Sequence, residues 1–497
     1  MAERHVEFRL PGPEYEAIGW VYNEHLPGSA TLLERSIRSL QQRTQADGLP
    51  GQLYVNGYAY SRDWQMPPRR GPFDLEAIGG WRERLFPAIE EARTAFDAFD
   101  PASVEAGSWR DRLLSLDAGF DSVFGRVHME TMAVVLPASS RWLELHAERF
   151  GAERRDDALA LLAGFPNTST ARTSALWGLS RIAAADEAVA AAVREGEVPE
   201  GGSAGARAFR EQFAALVELF GDTTTMHLID LPTWREDASI PLAMVAAMAL
   251  EGDERDPGAA EARAKARRLE LERELSMAGL DEEAWNVLQA AQQLAPVSED
   301  HNLFCDQRLI AASRRRWLRA GEAMRERGLL RTAEEVFYLS VDEVVEGLET
   351  GERVADDLIE RRRAQQTRWR AAPPPARLGA GAEARVEEGA WRGIAGSRGV
   401  YQGRARVIAS LEDAWQLEPG DVLVCAATAP EWTPYFGVIG ALVTGAGGVL
   451  THAAVVAREL GLPAVVGMTG ATSEIPDGSL VIVDGSAGTV RLATAEG

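Results

Sequence analysis

The residues of this chain with the clearest capacity for chemistry lie in one run, Gly447-Gly448-Val449-Leu450-Thr451-His452. Ala441 to Thr444 reads as a strand that enters a glycine-rich turn, Gly445 to Gly448. Thr451 is an N-cap residue type, and Ala453 to Leu460 is rich in helix formers. Gly461 falls where a helix-ending glycine belongs, Pro463 blocks further helix, and Ala464 to Val466 reads as a second strand. His452 is therefore expected in the first turn of a short helix, directly after a glycine loop. The first N–H groups of a helix lack internal partners, and the helix dipole places partial positive charge there. Gly447 and Gly448 carry no Cβ, so the backbone can approach an anion such as a phosphate. An imidazole in that field is disfavoured in its protonated form, and its bare nitrogen is a nucleophile. The arrangement suits a histidine that accepts a phosphoryl group and passes it on. A histidine that only closes a helix end has the same local pattern.

Other polar groups could serve an acceptor. Pro296 to Gln307 contains Glu299-Asp300-His301 and, a few residues on, Asp306. His301, flanked by Asp300 and within reach of Asp306, is a candidate general base for a hydroxyl. The alternative is a histidine in a hydrogen-bond network at a helix start. The polar insert from Gly221 to Pro241 holds His227 and the run Leu231-Pro232-Thr233-Trp234-Arg235-Glu236-Asp237. It reads equally as a pocket wall or as a surface loop with a local salt bridge. The candidate acceptor site is thus His301, Asp300, Arg235, Glu236 and His227. His25 reads as structural or as a residue that touches substrate or an interface. No metal ligands are assigned: the only cysteines, Cys305 and Cys425, are expected to be small buried apolar residues.

Several elements must position these groups. From about residue 76 to 370 apolar residues recur at three- and four-residue steps, which predicts helices. The expected spans are Leu75 to Phe99, Trp109 to Leu136, Ser139 to Phe150, Arg155 to Ala163, Thr168 to Arg194, Ala206 to Phe220, Glu261 to Leu275, Glu283 to Leu294 and Arg308 to Arg327. Before them, Asn56-Gly57 between Leu53-Tyr54-Val55 and Tyr58-Ala59-Tyr60 signals a hairpin. Pro373-Pro374-Pro375 and the Gly- and Ala-rich stretch after it read as a linker over 371–390. About twenty residues at up to ~3.3 Å each reach roughly 65 Å, enough for a tethered domain to visit two sites. From Trp391 onward short β-rich runs alternate with brief helices.

The chain has 497 residues, 46% of them hydrophobic, and a formal net charge of −23. Two to four domains with real cores are expected. A nucleic acid would be repelled by that charge, and no apolar run is long enough to span a bilayer. The N-terminal residues show no signal-peptide pattern, so a soluble, cytoplasmic protein is expected.

The stretch around His452 resembles the mobile domain of the phosphoenolpyruvate-utilising enzymes. The resemblance is carried by Leu442-Val443-Thr444, Gly447-Gly448, Thr451-His452-Ala453-Ala454, Ala457-Arg458-Glu459 and Pro463-Ala464-Val465-Val466-Gly467. It extends to Gly393-Ile394-Ala395-Gly396-Ser397, Thr433-Pro434, Val483-Asp484-Gly485 and Gly488, and so covers roughly the last hundred residues. Phosphoenolpyruvate synthase, pyruvate phosphate dikinase, rifampicin phosphotransferase and phenylphosphate synthase carry similar domains. Two positions depart from the pattern. Gly445 stands where an acidic residue is usual, and Ser397-Arg398-Gly399 stands in place of Ser-Pro-Gly. Trp20 to Pro27, the insert around Trp234 and the stretch Val336 to Glu343 are similar to the central domain of the rifampicin phosphotransferase and phenylphosphate synthase group.

The resemblance implies a multidomain protein. A mainly α-helical acceptor-binding domain (1–370) and a flexible linker (371–390) would precede a swivelling β/β/α phosphohistidine domain (391–497). It implies that His452 is phosphorylated, with Gly447, Gly448 and Thr451 forming the phosphoryl loop. Arg235 and Arg458 are candidates to clamp phosphoryl oxygens, and the alternative for Arg458, which is not on the His452 face of the helix, is a structural ion pair. No Walker-type run and no ATP-grasp segment is found, which implies ATP and Mg2+ acting through a separate ATP-grasp protein rather than bound here. The acceptor would be a hydroxyl of a small organic molecule, an alcohol or phenol. Its phosphorylation could prepare a following step such as dehydration. The alternative is a non-catalytic phosphocarrier or regulatory subunit of a split phosphoenolpyruvate-synthase-like system.

Overall fold

The computed structural model describes residues 81–493 except 225–227, 373, 376, 380–385, 388–389, 410 and 429–431. Before residue 81 it describes only 9, 11, 19–22, 31–33, 35, 52–56 and 58–62. The helices of two turns or more are α1 (Trp81–Asp97), α2 (Trp109–Phe150), α3 (Thr168–Ala185), α4 (Glu187–Arg194), α5 (Ala204–Phe220) and α6 (Ser239–Met248). After them come α7 (Pro257–Met277), α8 (Glu282–His301), α9 (Arg308–Glu326), α10 (Val341–Thr350), α11 (Asp356–Arg370) and α12 (His452–Leu460). The helical region leads into a mixed β-sheet domain. Among the described residues no helix is long and apolar enough to cross a membrane.

Three helical expectations change. Trp109 to Leu136 and Ser139 to Phe150 are one helix of 42 residues that runs through Pro137. Met132, Val135, Ala138, Trp142 and Leu145 form a continuous stripe packed on Val287, Leu288, Ala291 and Leu294 of α8. That burial outweighs a proline cost of about 3 kcal/mol. The Thr168 to Arg194 span splits instead. Asp186 adopts an extended backbone and its carboxylate accepts from Ala188 N and Val189 N, so it caps a new helix. The third change bears on the site. α8 does not end at Leu294 but passes through Pro296 to His301, and a π-helical turn, Asn302–Gln307, joins it to α9. Glu299, Asp300 and His301 therefore occupy the last turn of a helix, not its start.

Among the described residues the strands form two sheets. β1 (Gly19–Tyr22), β2 (Gln52–Val55), β3 (Tyr58–Arg62) and β4 (Arg377–Gly379) make an antiparallel sheet in the order β2-β3-β1-β4. The expected hairpin is present, with Val55 opposite Tyr58 and Asn56 at a φ of 52°. Within the stretch read as a linker, Arg377–Gly379 pairs with β1, and the Tyr60 hydroxyl donates to the Pro375 carbonyl at 2.9 Å.

The second sheet has nine strands: β5 (Val386–Glu387), β6 (Ala390–Arg392), β7 (Ile394–Ser397), β8 (Val400–Val407), β9 (Val422–Cys425), β10 (Ala441–Thr444), β11 (Ala464–Val466), β12 (Leu480–Asp484) and β13 (Thr489–Leu492). Their order is β5-β6-β13-β12-β8-β9-β10-β11-β7. β8 to β11 are parallel neighbours, and the remaining pairs are antiparallel. β8 belongs to both halves: Val400 to Arg404 pair with β12, and Ala405 to Val407 pair with β9. The central strands β9, β10 and β11 are buried at every residue, as a parallel sheet covered on both faces requires.

One cover is the helical region itself. A single apolar core includes Leu176, Phe213 and Met248 from the helices and Phe436, Leu442, Val456 and Val466 from the sheet domain. Each such side chain contributes roughly 1.5–3 kcal/mol by leaving water. The two regions are thus docked, and α12 lies at their junction.

α3 supplies the helical side of that junction, and its start is held by Asn167. The Asn167 side chain accepts from Thr170 N at 3.0 Å in a reciprocal capping box. Asn167→Ala is expected to lower stability by about 1 kcal/mol, read as a shift of the urea midpoint with unchanged slope.

Candidate functional site

β10 ends at Thr444, and the chain turns through Gly447, whose φ of 110° is a conformation that an L side chain rarely adopts. α12 starts at His452 and ends on Gly461, left-handed at a φ of 68°. The expected strand–glycine turn–helix–strand order is present, with His452 in the first turn. Thr451 holds the N-cap position, but its hydroxyl does not cap. It donates to the Gly448 carbonyl at 2.8 Å and so closes the glycine turn on itself.

The His452 ring stands at the junction, with a side chain 10% exposed. Its Nδ1 lies 3.1 Å from Oε2 of Glu299, at the end of α8 in the helical region. Its Nε2 lies 3.3 Å from the Thr433 hydroxyl, and the Phe436 ring centroid is 6.0 Å away. Glu299 is a buried acid. Burial pushes its carboxyl upward, but His452 and the Ser169 hydroxyl, which donates to Oε2 at 2.6 Å, bring it below its usual range. A carboxylate facing Nδ1 fixes the proton there and leaves the lone pair on Nε2. That lone pair faces the Thr433 hydroxyl.

Other predicted residues have different roles. The Asp300 carboxylate accepts from Thr168 N at 2.8 Å, at the positive end of α3, and helps seat that helix beside Glu299. His301 donates from Nδ1 to the Val297 carbonyl at 3.1 Å and turns Nε2 toward Asp306, 3.9 Å away. Burial holds its imidazole below the usual range. The partner foreseen for His301 is there, but the ring belongs to a helix end and its polar partners do not include His452.

Glu236 is structural. Both carboxylate oxygens accept from Arg314 Nε at 3.0 Å, and Oε2 also accepts from Thr233 N. Arg235, half-exposed, donates to the Val217 carbonyl at 3.0 Å and faces Asp222 at 3.8 Å. Trp234 is 2% exposed and packs under the Arg172 guanidinium, so its indole is part of the core. His227 lies outside the described residues. Arg458 ties β7 to the glycine turn before α12. Its guanidinium donates to the carbonyls of Gly396 and Val449, both at 2.7 Å, and burial pulls it down to about 10.

Glu299, Ser169 and Thr433 carry no role in the sequence reading. Glu299 and Thr433 stand inside stretches singled out for other reasons, and Ser169 gives no local signal. Docking of the mobile domain on the helical region brings Glu299, which also accepts from Ser169, to His452, while Thr433 reaches the ring from within the mobile domain.

Residues 417–488 match the family described as the PEP-utilising enzyme mobile domain, and residues 128–298 match the rifampicin phosphotransferase fourth domain. The chain thus carries a PEP-utilising mobile domain, with His452 inside it, joined to a helical region of the rifampicin phosphotransferase fourth-domain type. Among its relatives is the chondramide synthase of Chondromyces crocatus, 34% identical over 97% of this chain and 14% of that protein. The rifampicin phosphotransferase of Bacillus subtilis is 39% identical over 35% of this chain and 21% of its own length. The phosphoenolpyruvate synthase of Aeropyrum pernix is 52% identical over 20% of this chain and 12% of its own. The chain spans only a minor part of each of these relatives.

The other end of the His452 helix is titratable. Both carboxylate oxygens of the buried Glu459 accept from Gly164 N of the helical region at 3.0 Å. Burial lifts its carboxyl to about 7, against the downward pull of Gly164 N and Arg458, while Glu261 and Glu299 add to the rise. The folded value lies above the unfolded 4.5. The linked stability is therefore present below the unfolded value and lost as pH rises through about 7. Urea midpoints of the wild type should fall between about pH 5 and about pH 8 more steeply than those of Glu459→Gln. Parallel profiles would remove Glu459 as the cause.

Proposed function

We propose that this chain is the histidine-bearing and acceptor-binding part of a phosphotransferase. His452 Nε2 takes the β-phosphoryl group that a separate ATP-grasp protein draws from Mg2+-bound ATP, with AMP and phosphate released, and delivers it to a hydroxyl of a small alcohol or phenol. The observation that carries this reading is the contact at 3.1 Å between His452 Nδ1 and the Glu299 carboxylate. It pairs the family's histidine with an acid of the helical region, across the junction of the two parts.

In the docked state the ring is only 10% exposed and faces Glu299 and Thr433, which limits access of an ATP-bearing protein to Nε2. Loading then requires the mobile domain to swing away, and delivery requires its return. Once Nε2 is phosphorylated, a proton held on Nδ1 by Glu299 makes the ring a phosphoimidazolium. The acceptor oxygen attacks phosphorus and the N–P bond breaks. Its electron pair returns to Nε2, so the ring departs as neutral imidazole rather than as an anion. The hydroxyl proton passes to solvent. The Thr433 hydroxyl, facing Nε2, is placed to donate to a phosphoryl oxygen. Two displacements through a covalent intermediate replace one harder transfer.

The carrier alternative has no comparable support, since a carrier needs no acid on the helical side to balance the ring. The test is to incubate the chain with its ATP-grasp protein and β-labelled ATP, then to add alcohols or phenols. Acid-labile, base-stable label is expected on His452 and absent in His452→Ala. Glu299→Gln should load normally but deliver about 10²-fold more slowly or worse. Equal delivery by this variant would refute the assigned role, and label that survives every acceptor would favour the carrier.

A further inference from the structure

Behind Glu299, three side chains from separate elements converge. His128 comes from the middle of α2, His301 from the last turn of α8, and Asp306 from the π-helical turn that follows. His128 Nδ1 is 3.4 Å from Asp306 Oδ2, and His301 Nε2 is 3.9 Å from the same oxygen. One ligand atom from each residue lies within 4.8 Å of the others. We propose that His128, His301 and Asp306 bind a divalent first-row transition cation, zinc(II) in its four-coordinate form.

The chemistry of the donors favours such an ion. Two imidazole nitrogens and one carboxylate suit zinc, manganese, iron or cobalt better than magnesium or calcium, which prefer oxygen alone. Ligand atoms about 2.0–2.1 Å from a tetrahedral cation stand roughly 3.3 Å apart. The His128–Asp306 separation is already close to that value, and small side-chain rotations would close the other two.

The surroundings also orient the ligands. His301 donates Nδ1–H to the Val297 carbonyl, which leaves the lone pair of Nε2 facing the cluster. A backbone carbonyl on the far nitrogen is the usual partner of a metal-bound imidazole. The Cys305 thiol hydrogen-bonds the Asp306 carboxylate and so steadies the acid. Asp306 owes its place to the π-turn: the widened backbone between α8 and α9 sets it opposite α2, and such turns concentrate at functional sites. Side-chain exposures of 12%, 7% and 7% leave the cluster dry but not sealed. Three protein donors leave a fourth position for water or another oxygen ligand.

Such a cation would tie α2 to the end of α8 and hold the turn that carries Glu299. That consequence rests on the phosphotransfer reading, whereas cation binding itself does not.

The test is to dialyse the purified chain against a chelator and titrate it with Co2+, followed by visible absorption, and with Zn2+, followed by calorimetry. One equivalent of Co2+ should give a d–d spectrum that Zn2+ abolishes. Asp306→Asn and His128→Gln should each weaken binding by about 10- to 100-fold or more. Far-UV circular dichroism verifies that each variant is folded, and either one alone suffices if the other does not fold. His146→Gln, at a buried histidine outside the cluster, should bind as the wild type does. His452→Ala should also bind normally, which separates this result from failure of the phosphotransfer reading. Absence of a one-equivalent site, or equal affinity in all these proteins, would overturn the proposal and leave the His128–Asp306 contact as a simple ion pair.

Discussion

A carboxylate as deeply buried as Glu299 must be met by donors, because removing a charge from water costs several kcal/mol unless partners replace the lost solvation. Two partners meet it, and they come from different parts of the molecule. The Ser169 hydroxyl arrives on the first turn of α3, and His452 Nδ1 arrives on α12 of the mobile domain. The capping box at Asn167 and the Asp300–Thr168 hydrogen bond hold α3 where Ser169 can reach. The continuation of α8 through Pro296 puts Glu299 at the junction.

Adhesion and alignment are divided between apolar and polar contacts. The shared apolar core that runs from Leu176 to Val466 supplies non-directional attraction between helices and sheet. The Glu299–His452 pair adds direction. A buried carboxylate left without its hydrogen-bond donor is costly. The pair therefore penalises docked arrangements that misplace the imidazole and helps select one register. At the far end of α12 the Gly164–Glu459 contact repeats this division, with a carboxyl whose charge is disfavoured by burial.

Much of the mobile domain was legible along the chain because its signals are local. A strand, a glycine turn, a short helix and a helix-ending glycine each depend on a few neighbouring residues, and these elements stand within a residue or so of the reading. The helical region was less legible where tertiary packing competes with local preference. Pro137 and Pro296 read as breaks, but the stripe shared by α2 and α8 carries both helices through them. Asp186 works the other way, since an aspartate inside an alanine-rich span reads as helix until its side chain is seen capping Ala188 and Val189. The polar insert around Trp234 read equally as a pocket wall or a surface loop, and neither reading placed its indole in the core.

By itself, then, the sequence determined that His452 opens a short helix behind a flexible glycine turn, because backbone propensity and capping act over a few residues. It also determined that a mainly helical region precedes a β-rich one. Only the tertiary structure decided which acid the imidazole meets. Residues 299 and 452 are remote along the chain, and nothing local to either encodes a contact made when two separately ordered regions close over a common apolar face.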